Sequence, residues 1–194
     1  TYRVYAWDLS VRGAHLDRTH GYFNGTSLFL RVHGRDEEPC GVTLATPTDP
    51  ACTGWEVATT LPREDAPEWG FGGYRAEDYE ALIDHPVEMG TFERVGFEAC
   101  GVPHAVVVTG RHRGDTERLA RDLKRLCEYH IRFFGEPPPF ERYLFLLTVV
   151  GNGYGGLEHR ASCSLLAERE DLPRPGVVKV EEGYRELLGL CSHE

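Results

Sequence analysis

Lysine is nearly missing: of 21 basic residues only Lys124 and Lys179 are lysines, and no functional reading attaches to that bias. Positive charge is short overall. The formal net charge is −10, which argues against a nucleic-acid or anionic-membrane partner, because both need a basic footprint. No two of the six cysteines (Cys40, Cys52, Cys100, Cys127, Cys163 and Cys191) stand in C-x-x-C spacing. That weakens a cysteine zinc site and a thioredoxin-like motif, and favours reduced, mostly buried thiols. A Cys40–Cys52 disulfide stays open. No apolar run is long enough to span a bilayer. Repeats, low-complexity tracts and a signal-peptide pattern are also missing, and Thr1 in place of Met leaves open that the natural N-terminus lies upstream.

What remains is globular. The chain has 194 residues, 41% of them hydrophobic and 27% charged, enough for one ordinary domain or two small ones. Its first part reads as strands and loops. "TYRVYAWDL", "TSLFLRVHG" and "GWEVATTL" carry alternating or apolar runs rich in β-branched and aromatic residues, separated by turn-rich stretches. "PREDAPEWGFGG" is the most linker-like segment. "AEDYEALID" then predicts a short helix ended by His85-Pro86. "EMGTFERVGFEACG" and "HAVVVTG" predict two strands.

The spacing of apolar residues predicts a long helix over 115–134, capped by Asp115 or Thr116 and closed by Gly135. "PPPFERYLFLLTVV" leads into an apolar strand, "VVKV" into a short one. A last helix, "GYRELLGLCSHE", lines one face with Tyr184, Leu187, Leu188 and Cys191. It shows no stop signal: no Gly or Asn past its last turn, no Pro soon after. Truncation inside this helix is therefore expected.

Two stretches carry possible chemistry. In "GNGYGG", Gly151, Gly153 and Gly156 fit G-x-G-x-x-G directly after a strand, the pattern that brings backbone to a pyrophosphate. Glu170 and Asp171 come somewhat early for a ribose-binding acid. No further βαβ units follow, and Ser162, Cys163 and Ser164 suit a helix interior poorly. The plainer reading is a loop that uses glycine at positive φ. The second stretch is the terminal His193-Glu194. On a helix, H-E-x-x-H places two imidazoles one turn apart on one face, where both reach a single zinc ion with Glu beside them as general base. The plainer reading is a solvent-facing pair at a frayed end.

Longer stretches decide between these readings. "YAWDLSVRGAHLD", "THGYFNGTSLFL", "DYEALIDHPVEMG", "GVPHAVVVTG", "GYGGLEHR" and "LGLCSHE" together span nearly the whole chain. By them the sequence strongly resembles the glycyl aminopeptidase family of bacterial PDZ-containing zinc metallopeptidases, of the H-E-x-x-H gluzincin type. The resemblance implies an α+β chain: 1–83 as the C-terminal part of an N-terminal antiparallel β domain, and 84–194 as the N-terminal sheet-and-helix lobe of a thermolysin-like catalytic domain, truncated inside the zinc motif.

It further implies that His193 is the first zinc ligand and Glu194 the catalytic glutamate. Glu158 would receive the α-amino group of a peptide substrate, and Gly155 and Gly156 would admit its backbone to an edge strand. The plainer reading of Glu158 is a structural carboxylate held by Arg160 or a turn amide. Zinc is the implied cofactor of the parent protein, not held tightly by this chain alone, which is then expected to be inactive. A peptide-binding module without catalysis and the dinucleotide site remain as alternatives. His85 reads as a turn residue, His104 and His159 as cleft-lining residues rather than ligands, and Asn24 in "FNGTS" as a turn despite its N-x-S/T context.

Overall fold

Caps and periodicity place the elements. In the computed structural model, which describes residues 1–194, the chain divides into two units, Thr1–Thr91 and Phe92–Glu194. The first holds β1 (Ala14–Leu16), β2 (His20–Phe23), α1 (Gly25–Leu28), β3 (Cys40–Leu44), β4 (Glu56–Ala58), β5 (Gly72–Ala76), α2 (Tyr79–Ile83) and β6 (Val87–Gly90). Four strands form an antiparallel sheet in the order β1-β2-β6-β4, and β3 pairs with β5. Phe23, Val57, Leu61, Tyr74, Leu82 and Val87 make its core.

Several expectations for this unit are corrected. Residues 1–9 contribute only a bridge, Trp7 to His15, before Asp8 turns the chain by accepting from the Ser10 N–H. The strand expected in "TSLFLRVHG" is a helical turn followed by irregular chain. Its composition suits a strand, but the carbonyls of Leu28 and Phe29 accept from the hydroxyls of Tyr2 (2.8 Å) and Tyr79 (3.1 Å), not from a neighbouring strand. The linker-like "PREDAPEWGFGG" is tied down within the unit: Glu64, Asp65 and Ala66 N–H groups converge on the Gly73 carbonyl, and Ala66 is buried. The boundary expected after residue 83 falls too early, because β6 is an interior strand of the first sheet and the units part after Thr91. "EMGTFERVGFEACG" therefore splits between two sheets.

The second unit holds β7 (Glu93–Ala99), β8 (Val102–Thr109), α3 (Thr116–Phe134), β9 (Tyr143–Val150), β10 (Gly155–Glu158), β11 (Ser162–Glu168) and α4 (Glu182–His193). Its mixed sheet runs β10-β11-β9-β8-β7, with β8, β9 and β11 parallel and both edges antiparallel. The chain as a whole is α+β. α3 begins as its sequence predicts: the Asp115 side chain accepts from the Arg118 N–H at 2.9 Å. It ends at Gly135, whose φ of 116° a side chain would resist. Leu119 and Leu123 of α3, with Leu187 and Leu190 of α4, pack on Leu147 of β9 and Leu165 of β11. The short strand expected in "VVKV" does not form, since the Arg118 guanidinium takes the carbonyls of Val177 and Val178. No helix is long and apolar enough to cross a membrane.

A buried charge pair in the first unit gives a pH signature. His20 Nδ1 stands 3.0 Å from Glu88 Oε1, with Glu88 only 2% exposed. Burial works to lower the His20 pKa, but the hydrogen bond and charge of Glu88, with Asp17 nearby, prevail and hold it above its ordinary value. A histidine raised on folding stabilises fully below its unfolded pKa of about 6.5 and loses that contribution as pH rises through the folded value. Stability should therefore fall as pH rises above about 6.5. Urea unfolding of the chain against a His20→Gln variant checks this: the variant's profile should be flatter over that range.

Candidate functional site

α4 brings one end of the sequence motif to the sheet. The Asp171 carboxylate lies against its first turn, where it suits the positive end of the helix; a Cβ on Gly183 would stand 2.2 Å from Asp171 Oδ1. The buried stripe is Tyr184, Leu187, Leu190 and Cys191. Leu190 replaces the expected Leu188, which is only half-buried. The last turn is fixed by three contacts. The Glu194 N–H donates to the Leu190 carbonyl at 3.1 Å, Ser192 Oγ meets His130 Nε2 at 3.0 Å, and the Tyr143 hydroxyl donates to the Glu194 carbonyl at 3.5 Å. Burial pushes the Tyr143 phenol far above its ordinary value, so it stays a donor. His193 is exposed.

The decisive contact lies across the sheet edge. A Cβ built on Gly156 would stand 1.9 Å from Glu194 Oε1 and 2.3 Å from its Cδ. The Glu194 carboxylate thus sits on bare backbone of β10, which only glycine permits. β10 is an edge strand, pairing Gly156 with Leu165 and Glu158 with Cys163. Glu158 is exposed and has no ion pair or side-chain hydrogen bond in the chain, so the expected alternative of a carboxylate held by Arg160 or a turn amide is not seen. Gly155 pairs with Leu166 on the same strand. Gly156→Ala should displace the Glu194 carboxylate yet cost under about 1 kcal/mol, because the obstructed group is the tip of a flexible side chain. An unfolding midpoint near that of the parent chain, with a changed carboxylate carbon shift for Glu194, is the expected pair of readings.

The glycine turn does not build a dinucleotide site. The glycines of "GNGYGG" lead from β9 into strand β10, so no helix N-terminus faces the turn and a pyrophosphate would have no aligned N–H groups. Nor does the turn use positive φ at Gly151, Gly153 or Gly156. Close approach explains two of them: Gly153 lies against Val150 and Leu166, and Gly156 against Glu194.

Beside α4, an apolar cavity of about 420 Å³ is lined by His104, Cys127, Tyr143, Cys191, His193 and Glu194 among others. His104 stacks on Phe97 at 5.2 Å, and burial holds it below its ordinary pKa despite a hydrogen bond to the Val102 carbonyl. All six cysteines are free. Burial pushes the Cys127 and Cys191 thiols up to about 12, which leaves them protonated and unreactive. His85 is hydrogen-bonded to Thr60 at 2.7 Å, and Asn24 is a buried N-cap residue of α1. His159 lies in the turn between β10 and β11, its N–H donating to the Ser162 carbonyl at 2.9 Å. Tyr143, His130 and Ser192 were not singled out from sequence. Nothing local marks them, because their partners lie more than fifty residues away.

Residues 1–91 match the Peptidase M61 N-terminal domain, ending where the first unit ends. The chain also superposes on an aminopeptidase N family protein from Idiomarina loihiensis with a TM-score of 0.94 and 46% identity. The chain is related to peptidases. The superposition covers 98% of this chain and 32% of that one, so the chain spans about a third of the length of that solved structure. A comparison with curated proteins gave no match.

Proposed function

We propose that this chain is part of a zinc-dependent aminopeptidase that removes N-terminal residues from peptides. The observation that carries the reading is the Glu194 carboxylate seated on Gly156, two positions along β10 from the unpartnered carboxylate of Glu158. A peptide added to the open edge of β10 would run its backbone past Gly155 and Gly156. Glu158 would take its α-ammonium group and so set the register of cleavage. Glu194 Oε1 or Oε2 would accept a proton from the attacking water and deliver it to the leaving amine.

The residues present do not form a zinc site by themselves. No group of three or more His, Cys, Asp or Glu side chains in the chain is arranged to hold a metal ion. His193 offers one imidazole at the exposed end of α4. The proposal places the other ligands on a longer chain: a histidine four positions after His193 and a glutamate further on, within a thermolysin-like domain followed by a PDZ domain. Zinc held by three protein ligands with an open position lowers the pKa of bound water to about 7.

The test is metal analysis and hydrolysis of glycyl and alanyl p-nitroanilides by the longer protein. Near-stoichiometric zinc, and activity lost to a chelator and restored by zinc, are expected. The 194-residue chain should hydrolyse neither substrate. The open edge of β10 equally suits a peptide-binding module. Tight peptide binding by the longer protein without hydrolysis or zinc would establish that reading instead.

A further inference from the structure

Arginine is distributed unevenly over this acidic chain. Some guanidinium groups pair with carboxylates, as in Arg31–Asp36, Arg35–Glu38, Arg75–Glu64 and Arg118–Asp122. In one groove of the second unit four of them gather. Arg111, Arg113, Arg169 and Arg174 line it, with Glu170 as its one carboxylate, in a space of about 680 Å³. Arg111 and Arg113 are exposed and make no hydrogen bond or ion pair within the chain. Arg169 donates Nε to the Val150 carbonyl at 3.2 Å, and Arg174 Nε lies 3.4 Å from Glu181 Oε2.

The loops that carry these residues are fastened together. The Asp115 N–H donates to the Pro173 carbonyl at 2.7 Å. Gly114 lets the two loops touch: a Cβ there would stand 2.5 Å from Leu172 Cβ. His112, between the two unpaired arginines, is anchored on both sides. Its Nε2 lies 3.5 Å from Glu93 Oε2, and its Nδ1 accepts from the Gly114 N–H at 3.3 Å. Like charges gathered in one groove repel, and here the hydrogen bond and close contact between the two loops offset that repulsion. The groove lies off the carboxyl ends of the parallel strands β8 and β11, a usual ligand position in such sheets. Besides Gly114, Leu172 and Pro175 the lining consists of the four arginines, His112 and Glu170, an excess of positive charge that suits a small anionic ligand.

We propose that this groove binds a multivalent oxyanion, phosphoryl or polycarboxylate, through the guanidinium groups of Arg111, Arg113, Arg169 and Arg174 that line it. Guanidinium forks match such oxygens bidentately. The site stands at the opposite end of the 12-residue helix α4 from Glu194, about 18 Å of helix away. It is independent of the peptidase reading.

Calorimetric titration of the 194-residue chain with inorganic phosphate, pyrophosphate and citrate, at ionic strength fixed with sodium chloride, tests it. Saturable one-to-one binding of pyrophosphate or citrate, with Kd below about 1 mM, is expected; which of the two binds tighter identifies the source, and either upholds the site. The Arg111→Ala/Arg113→Ala double variant should bind at least about tenfold more weakly, with an unchanged unfolding midpoint because both side chains are exposed and unpaired. Arg125→Ala, on a distant part of α3, should leave Kd unchanged. No saturable binding by any of the three anions, or equal Kd in the double variant, overturns the proposal.

Discussion

Glu194→Gln, made in the longer protein with its full ligand set, is expected to lower kcat by about 10²- to 10⁴-fold while leaving KM within a few-fold. Glutamine keeps the size and planarity of the side chain and still fits over Gly156, where even a Cβ has no room. What it loses is the ability to accept a proton near neutral pH. General-base catalysis of this kind contributes about 10²–10⁴ to rate. On the proposed reading substrate would bind through β10 and Glu158, which the exchange leaves alone, so the loss would belong to kcat. The acid limb of the pH–rate profile should disappear with it, a signature that a purely structural defect would not produce. A variant that retains kcat within tenfold would remove Glu194 from the chemistry.

The second large effect is at Glu158. Glu158→Gln is expected to reduce kcat/KM for substrates with a free amino terminus by about 10- to 100-fold, the range for a charge-assisted hydrogen bond to an ammonium group. In this chain the carboxylate is exposed and without an internal partner. Removing its charge therefore breaks nothing in the fold, and the unfolding midpoint should not move. Selectivity is the sharper reading. The parent protein should reject N-acetylated peptides, and the variant should narrow the gap between free and acetylated substrates from the free-amine side. Equal loss on both would assign Glu158 a role other than recognition of the amino terminus.

The parts of the fold that were legible in sequence are those whose signals are local. α3 could be bounded at both ends because Asp115 caps its own helix three residues on and Gly135 closes it. The strands β8 and β9 stood out as apolar runs, and α4 by its stripe. Residues 1–9 and 26–34 misled because strand-like composition does not guarantee a strand partner. There the carbonyls of Leu28 and Phe29 are claimed by hydroxyls of Tyr2 and Tyr79, remote in sequence. The unit boundary misled for a related reason: β6 follows α2 at once, yet pairs with β2 and β4, strands far behind it.

The candidate site divides along the same line. His193-Glu194 at a helix end could be read from residue types and spacing, and a place for Glu158, Gly155 and Gly156 beside an edge strand was implied by a family resemblance. That the two meet could not, since neither stretch contains a signal for the other. Only the packing of α4 beneath the sheet, through Leu187, Leu190 and Cys191, carries Glu194 onto Gly156. The arginine groove is of the same kind, because Gly114 and Leu172 must touch before four scattered guanidinium groups become one positive surface. Sequence alone determined the helices α2, α3 and α4 and the strands β8 and β9, because caps and periodicity act within a few residues. Which segments share a site was decided by tertiary packing, where contacts between distant residues outweigh local preference.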